Sequence, residues 1–184
     1  MTEHSVTEPG ANLAGPCVVL VGAPGSGKST VGRRVAHAIS TQYLDTDEIV
    51  ARMAGMPVAD IFVDQGEPAF RTLEEEAVRE ALGATGAVVS LGGGAVVSEV
   101  TRQRLAGHRV LWLRVSVSDA ASRVGMSTAR PLLIGNVRGR LSTLMREREA
   151  WYEQVSRASV ETTGRPIEHV VSDVLAYAHQ AVTP

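Results

Sequence analysis

The sequence predicts an α/β protein, a five-stranded parallel sheet flanked by helices on both faces. Short apolar runs that read as strands alternate with longer segments of helical periodicity. Strands joined by helices run parallel, and the helices cover both faces of the sheet. The first run, "CVVLV" over 17–21, is apolar throughout, the pattern of a strand buried on both sides. A length of 184 residues with 44% hydrophobic content suits one domain with a sizeable core.

The elements follow in order. A helix runs from about Lys28 to Ile39. "QYLDTD" (42–47) is a second short strand with an acidic end, and Asp47 is placed to cap the helix "EIVARMAG", which stops at Gly55. Residues 57–82 read as two helical pieces broken near Gly66 to Pro68. "AVVSL" (87–91) is a third strand and "RVLWLRV" (109–115) a fourth. Another helix starts at Ser118, a polar arginine-containing segment covers Met126 to Arg140, and a long helix runs to about Val155. "ASVET" (158–162) is the fifth strand, and a helix from Pro166 to about Ala181 closes the chain. Residues 1–16 are polar and rich in Gly and Pro, and lack the basic and apolar regions of a signal peptide. They read as a flexible extension ahead of a single domain, 17–184.

The totals exclude some classes. The net charge is -2, from 18 basic against 20 acidic residues, which leaves no footprint for nucleic acid or an anionic membrane. No apolar run approaches the roughly 20 residues that span a bilayer. Cys17 is the single cysteine, so no internal disulfide forms, and a reducing, cytoplasmic compartment is expected. No apolar helix face stands out for self-association, so a monomer is expected.

The chemistry centres on "GAPGSGKST" (22–30), which follows the first strand and opens the first helix. Gly22, Gly27, Lys28 and Ser29 match G-x4-G-K-[ST], a phosphate-binding loop in its proper strand–loop–helix setting. Its glycines let the backbone fold around phosphate oxygens, and N–H groups at a helix N-terminus supply fixed positive potential. Gly25, Ser26, Gly27, Lys28, Ser29 and Thr30 are the expected ATP contacts, with Lys28 reaching the β- and γ-phosphates and Ser29 ligating Mg²⁺. Of the 18 basic residues, 17 are arginines and Lys28 is the one lysine. A compact ammonium fits beside backbone N–H groups where a guanidinium does not. The guanine-reading motif N-K-x-D, which needs a second lysine, is excluded, which favours a small kinase over a nucleotide switch.

Asp45 and Asp47 in "DTD" point to one side if the backbone is extended there. One carboxylate can support the metal shell and the other can accept the proton of an attacking hydroxyl. Arg71 has Glu74 and Glu75 three and four residues on, the spacing of a surface ion pair, yet its helix begins just after the Gly66 break, so it can also face the crevice. Gly92, Gly93 and Gly94 follow the third strand, which suits close backbone approach to a ligand. Leu141, Leu144, Met145, Arg148 and Tyr152 share one helix face, so Arg148 points inward and needs an anionic partner, while Arg146 lies off that face. The segment 126–140 reads as a mobile lid that closes Arg130 over transferring phosphates, and Arg165 is a candidate for stacking on a purine.

Together "GAPGSGKST", "LDTD", "ADIF…GE..FR..E", "SLGGGAV", "RPLL" and "REREAWY" resemble shikimate kinase, within the P-loop nucleoside monophosphate kinase-like group. The resemblance covers about Val18 to Val174. It implies a three-layer P-loop kinase architecture and transfer of phosphate from ATP, with Mg²⁺, to the 3-hydroxyl of shikimate. It assigns Asp47 to the shikimate hydroxyls, Arg71 and Arg148 to the shikimate carboxylate, and Gly92, Gly93 and Gly94 to backbone contacts with substrate. Asp45 then supports the metal with Ser29, Arg130 reaches the phosphates, and Phe62 and Phe70 shape the acceptor pocket. Two other readings stand beside it. One is another small-molecule kinase of the same architecture, such as a gluconate kinase. A non-enzymatic nucleotide-binding module would bind ATP without acceptor-dependent release of ADP.

Overall fold

The computed structural model describes residues 15–125 and 136–179. These residues form five strands, β1 (Val18–Val21), β2 (Tyr43–Asp45), β3 (Val88–Ser90), β4 (Val110–Arg114) and β5 (Ala158–Glu161). All pair in parallel, in the order β2-β3-β1-β4-β5. The helices are α1 (Lys28–Ala38), α2 (Thr46–Ala54), α3 (Val58–Asp64), α4 (Gly66–Leu82), α5 (Glu99–Leu105), α6 (Val117–Gly125), α7 (Val137–Val155) and α8 (Ile167–His179), with a 3-10 turn at Ala95–Val97.

β1 is buried along its whole length, and its side chains alternate between two cores. Val19 and Val21 join Ile49, Val50, Phe70, Ala77 and Val78 from α2 and α4. Val18 and Leu20 join Val31 and Val35 of α1 and Val170 and Val174 of α8. Burying each such side chain stabilises the fold by roughly 1.5–3 kcal/mol, and only a central strand with helices on both faces buries all four. The connection from β1 travels outward to β2, past β3, and the connection from β3 travels the other way to β4, past β1. The loops after these two adjacent strands therefore diverge and open a crevice at the carboxyl ends.

The structure corrects several boundaries. β2 ends at Asp45, whose carboxylate accepts from the Asp47 N–H at 3.0 Å. Asp45, not Asp47, is the cap of α2, and Asp47 lies in the first helical turn. The alternation expected of Asp45 and Asp47 on an extended backbone is therefore not what sets their directions. The break in 57–82 falls at Gln65 and Gly66, where Gly66 takes φ 79, and Pro68 sits inside the first turn of α4, where it removes no intrahelical bond. α7 begins at Val137, capped by Asn136, so the last residues expected in the lid are helical. The rest of that segment, including Arg130, lies outside the described residues, as do most of the N-terminal extension and Ala181. Gly15 and Pro16 are buried, and the Gly15 carbonyl accepts from Gly86 N at 2.9 Å. α5 has no counterpart in the sequence reading. Seven residues with Leu105 inside and Val100 exposed give too little periodicity, and the signal that marks it is the cap, Ser98 Oγ accepting from Thr101 N at 3.2 Å.

α2 stops at Gly55, which adopts φ 67 with open space around it. Gly55→Ala therefore meets only backbone strain. The expected loss is about 1 kcal/mol, or roughly 2–4 °C in Tm, read by thermal unfolding. Gly25→Ala, also at positive φ but 2.7 Å from the Ala120 carbonyl, is expected to lose distinctly more.

Candidate functional site

The phosphate loop leaves β1 at Gly22 (φ 147), where a Cβ would lie 2.5 Å from the Leu113 carbonyl. Gly25 and Gly27 also have positive φ, and Gly27 in the left-handed region starts α1. The loop thus curls back on itself and presents the N-terminus of α1. Lys28 is buried within it, its Nζ donating to the Gly22 and Ala23 carbonyls at 2.8 and 3.1 Å. Ser26 is fully buried, with a hydroxyl that has no hydrogen-bond partner among the described residues, and Thr30 is exposed.

At the end of β2, beyond β3, Asp45 Oδ2 accepts from Ser29 Oγ and from the Tyr43 hydroxyl, each at 2.9 Å. This pairs a hydroxyl and a carboxylate oxygen at the mouth of the phosphate loop. Hard oxygen donors in that number suit Mg²⁺, which takes one or two protein ligands and completes its shell with water and phosphate oxygens. Among the described residues no cluster of three or more His, Cys, Asp or Glu is placed to hold a metal ion.

Asp47 reaches the second loop of the crevice. A side chain on Gly92 would collide with Asp47 Oδ1 and lie 3.2 Å from Glu74 Oε1, so two carboxylates converge on the glycine. Thr46 pins the same residue, its Oγ1 accepting from Gly92 N at 2.8 Å. Gly93 packs against Pro24 of the phosphate loop, where a Cβ would be 3.0 Å from Pro24 Cδ. Arg148 Nη1 and the Tyr152 hydroxyl both donate to the Gly93 carbonyl, at 2.9 and 2.7 Å. Arg71 Nη1 donates to Glu74 at 2.7 Å and to the Gly94 carbonyl at 3.3 Å, while its Nη2 donates to Glu67 at 2.9 Å. The Phe62 and Phe70 ring centres lie 4.3 Å apart with their planes tilted by 33°, and the Arg71 guanidinium sits 5.4 Å from the Phe70 ring centre. The sequence-predicted residues Asp47, Arg71, Gly92, Gly93, Gly94 and Arg148 therefore share one crevice, with Phe62 and Phe70 beside Arg71.

Glu74 is the residue that sequence spacing undervalued. It is 2% exposed, so its pair with Arg71 is not a surface ion pair, and Glu75 instead accepts from Ser98 Oγ. Burial holds the Glu74 carboxyl above its ordinary value of 4.5; Asp47 adds to this, while Arg71 and Arg148 oppose it. A glutamate among apolar helix positions in "LEEEAV" is the signal that marks it. Arg123 was also passed over. It donates to the Gly25 carbonyl at 3.2 Å and to the Thr162 carbonyl at 3.0 Å, tying the phosphate loop to the end of β5. Arg165, in the turn after β5, is held by Asp173 at 2.8 Å and by the Glu161 carbonyl at 3.1 Å.

The chain is similar to known proteins over most of its length. A family model described as shikimate kinase matches residues 24–179. Shikimate kinase from Thermobifida fusca (strain YX) is 53% identical over 148 residues, covering 80% of this chain and 86% of the relative. The structure of shikimate kinase from Acinetobacter baumannii in complex with shikimate superposes with a TM-score of 0.84 at 30% identity, covering 89% of this chain and 92% of that one. A gluconokinase from Sinorhizobium meliloti 1021 shares the fold, with a TM-score of 0.56 at 20% identity over 91% of this chain and 93% of its own. The phosphate loop, Asp45 at the end of β2, Asp47 in the first turn of α2 and the arginines gathered on the triple glycine thus belong to a chain of the shikimate kinase family.

Proposed function

We propose that this chain transfers the terminal phosphoryl group of ATP to the 3-hydroxyl of shikimate, and that the crevice between β1 and β3 is where it does so. The observation that carries this is the convergence of Asp47, Arg71 and Arg148 on the triple glycine, directly across from the phosphate loop. Two guanidiniums on one wall match a carboxylate such as that of shikimate. The Gly92–Gly94 backbone, with no side chains in the way, lets the cyclohexene ring lie against it. Phe62 and Phe70 supply an apolar wall.

The transfer is an in-line displacement. The acceptor hydroxyl oxygen bonds to the γ-phosphorus, its proton passes to the Asp47 carboxylate, and ADP departs with the bridging oxygen. The phosphate-loop N–H groups from Gly25 to Thr30 hold the departing phosphates, and Lys28 stabilises the charge that develops on the transferring group. Ser29 and Asp45 would hold Mg²⁺, which would neutralise phosphate charge. Arg130, which lies outside the described residues, is assigned to the phosphates, where its charge adds to that of Lys28. Arg165 flanks the nucleotide base. The chain works in the cytoplasm as a monomer, with ATP and shikimate as partners and neither nucleic acid nor membrane; no described helix is long and apolar enough to cross a bilayer.

Release of ADP in the presence of ATP and Mg²⁺ should depend on shikimate and not on gluconate or quinate; equal turnover with gluconate contradicts the assignment. Arg71→Lys or Arg148→Lys is expected to raise the KM for shikimate about tenfold or more while sparing the KM for ATP. Asp47→Asn should lower kcat roughly a hundredfold to ten-thousandfold with ATP affinity retained. Lys28→Ala should lower kcat about a hundredfold or more with shikimate binding intact. For Glu74, a raised folded pKa means that its contribution to stability is fully present below pH 4.5 and is lost as pH rises through the raised value. The unfolding free energy of the wild type, relative to Glu74→Gln, should therefore fall from pH 4.5 towards neutrality in urea titrations. A difference that grows with pH would contradict the burial argument.

A further inference from the structure

We propose that Tyr152 is a positioning residue for the acceptor: it holds the Gly93–Gly94 peptide in place when Arg148 turns to the acceptor carboxylate. The inference deepens the acceptor site described above and rests on that reading. A carbonyl oxygen has two lone pairs, and both on Gly93 are taken, one by Arg148 Nη1 at 2.9 Å and one by the Tyr152 hydroxyl at 2.7 Å. The two donors differ in what else they do. Arg148 is half-buried on a long side chain and is the group offered to the incoming carboxylate. Tyr152 is 2% exposed and stacked on Trp112, with ring centres 5.7 Å apart, so it cannot follow the substrate.

Recruitment of Arg148 therefore removes one donor from the Gly93 carbonyl and leaves the tyrosine as its hydrogen bond. That bond matters because Gly93 and Gly94 have no side chains to restrict their backbone. The C=O and N–H of a trans peptide point in opposite directions, so fixing the Gly93 carbonyl fixes the Gly94 N–H on the other side of the plane. Pro24 presses on Gly93 and Arg71 on Gly94, which leaves the peptide little room once its carbonyl is anchored. The hydroxyl is a donor at neutral pH, as any phenol with an ordinary value near 10 is, and burial pushes the Tyr152 phenol further up, to about 12.

Tyr152→Phe keeps the ring and its stacking and removes only the hydroxyl. The test compares this variant with the wild type and with Arg148→Ala, reading kcat, the KM for shikimate, the KM for ATP and Tm. The expected result for Tyr152→Phe is a rise of about fivefold to tenfold in the KM for shikimate, with the KM for ATP within twofold of wild type. The double variant should lose more than the product of the two single losses, because the Gly93 carbonyl then has neither donor. If Arg148→Ala raises the KM for shikimate and Tyr152→Phe leaves it within twofold, the positioning role fails and the acceptor site stands. If Tyr152→Phe instead weakens ATP and shikimate alike as Tm falls, the residue is packing alone and the proposal fails. If Arg148→Ala leaves the KM for shikimate unchanged, the acceptor site itself is wrong and the proposal falls with it.

Discussion

The crevice depends on the burial of β1 on both faces. A strand of four aliphatic residues with no exposed side must stand in the middle of the sheet, with partners on both edges and helices on both faces. That central place puts the loop after β1 beside the loop after β3, and the opposite directions of the two connections leave the gap between them open. The phosphate loop and the triple glycine then meet through Pro24 and Gly93. Anything that shifted β1 outward would separate the group that binds the donor phosphate from the groups that bind the acceptor.

The second constraint is electrostatic. Five charged side chains, Asp47, Glu67, Arg71, Glu74 and Arg148, gather around three glycines, and Glu74 is nearly removed from water. A buried carboxylate is stable only with charged and hydrogen-bonding partners, and Arg71 supplies both. The pair holds the Arg71 guanidinium against the Gly94 carbonyl before any ligand arrives, so little side-chain freedom remains to be lost on binding. Glu67, more exposed, holds the other edge of the same guanidinium. Arg148 differs: it is anchored on a backbone carbonyl, and such a bond is easier to exchange for a carboxylate than an ion pair is.

The nucleotide side is tied to the sheet by different means. Arg123 links the phosphate loop to the end of β5 through the Gly25 and Thr162 carbonyls and the Thr162 hydroxyl, with Asp119 holding its other edge, and Arg109 caps the last carbonyls of α8. In a chain with a single lysine, arginine serves as the general structural cation, because its planar fork reaches two carbonyls at once.

The sequence by itself determined the strands, the helices longer than two turns and the phosphate loop, because each leaves a local signature: an apolar run, a 3.6-residue period, or glycines at set spacing before Lys28 and Ser29. It also determined that Arg148 points inward, since helix periodicity places it with Leu141 and Tyr152. The tertiary structure alone decided the partners. Arg71 has acids at several helical spacings, and only the packing of α4 shows that Glu74 is buried while Glu75 turns to Ser98. Asp47 reaches Gly92 from a helical turn rather than an extended strand, because the Asp45 carboxylate caps the helix two residues earlier than the pattern suggested. The two donors on the Gly93 carbonyl lie 55 and 59 residues from it in the chain, and no local pattern reports a contact made across that distance.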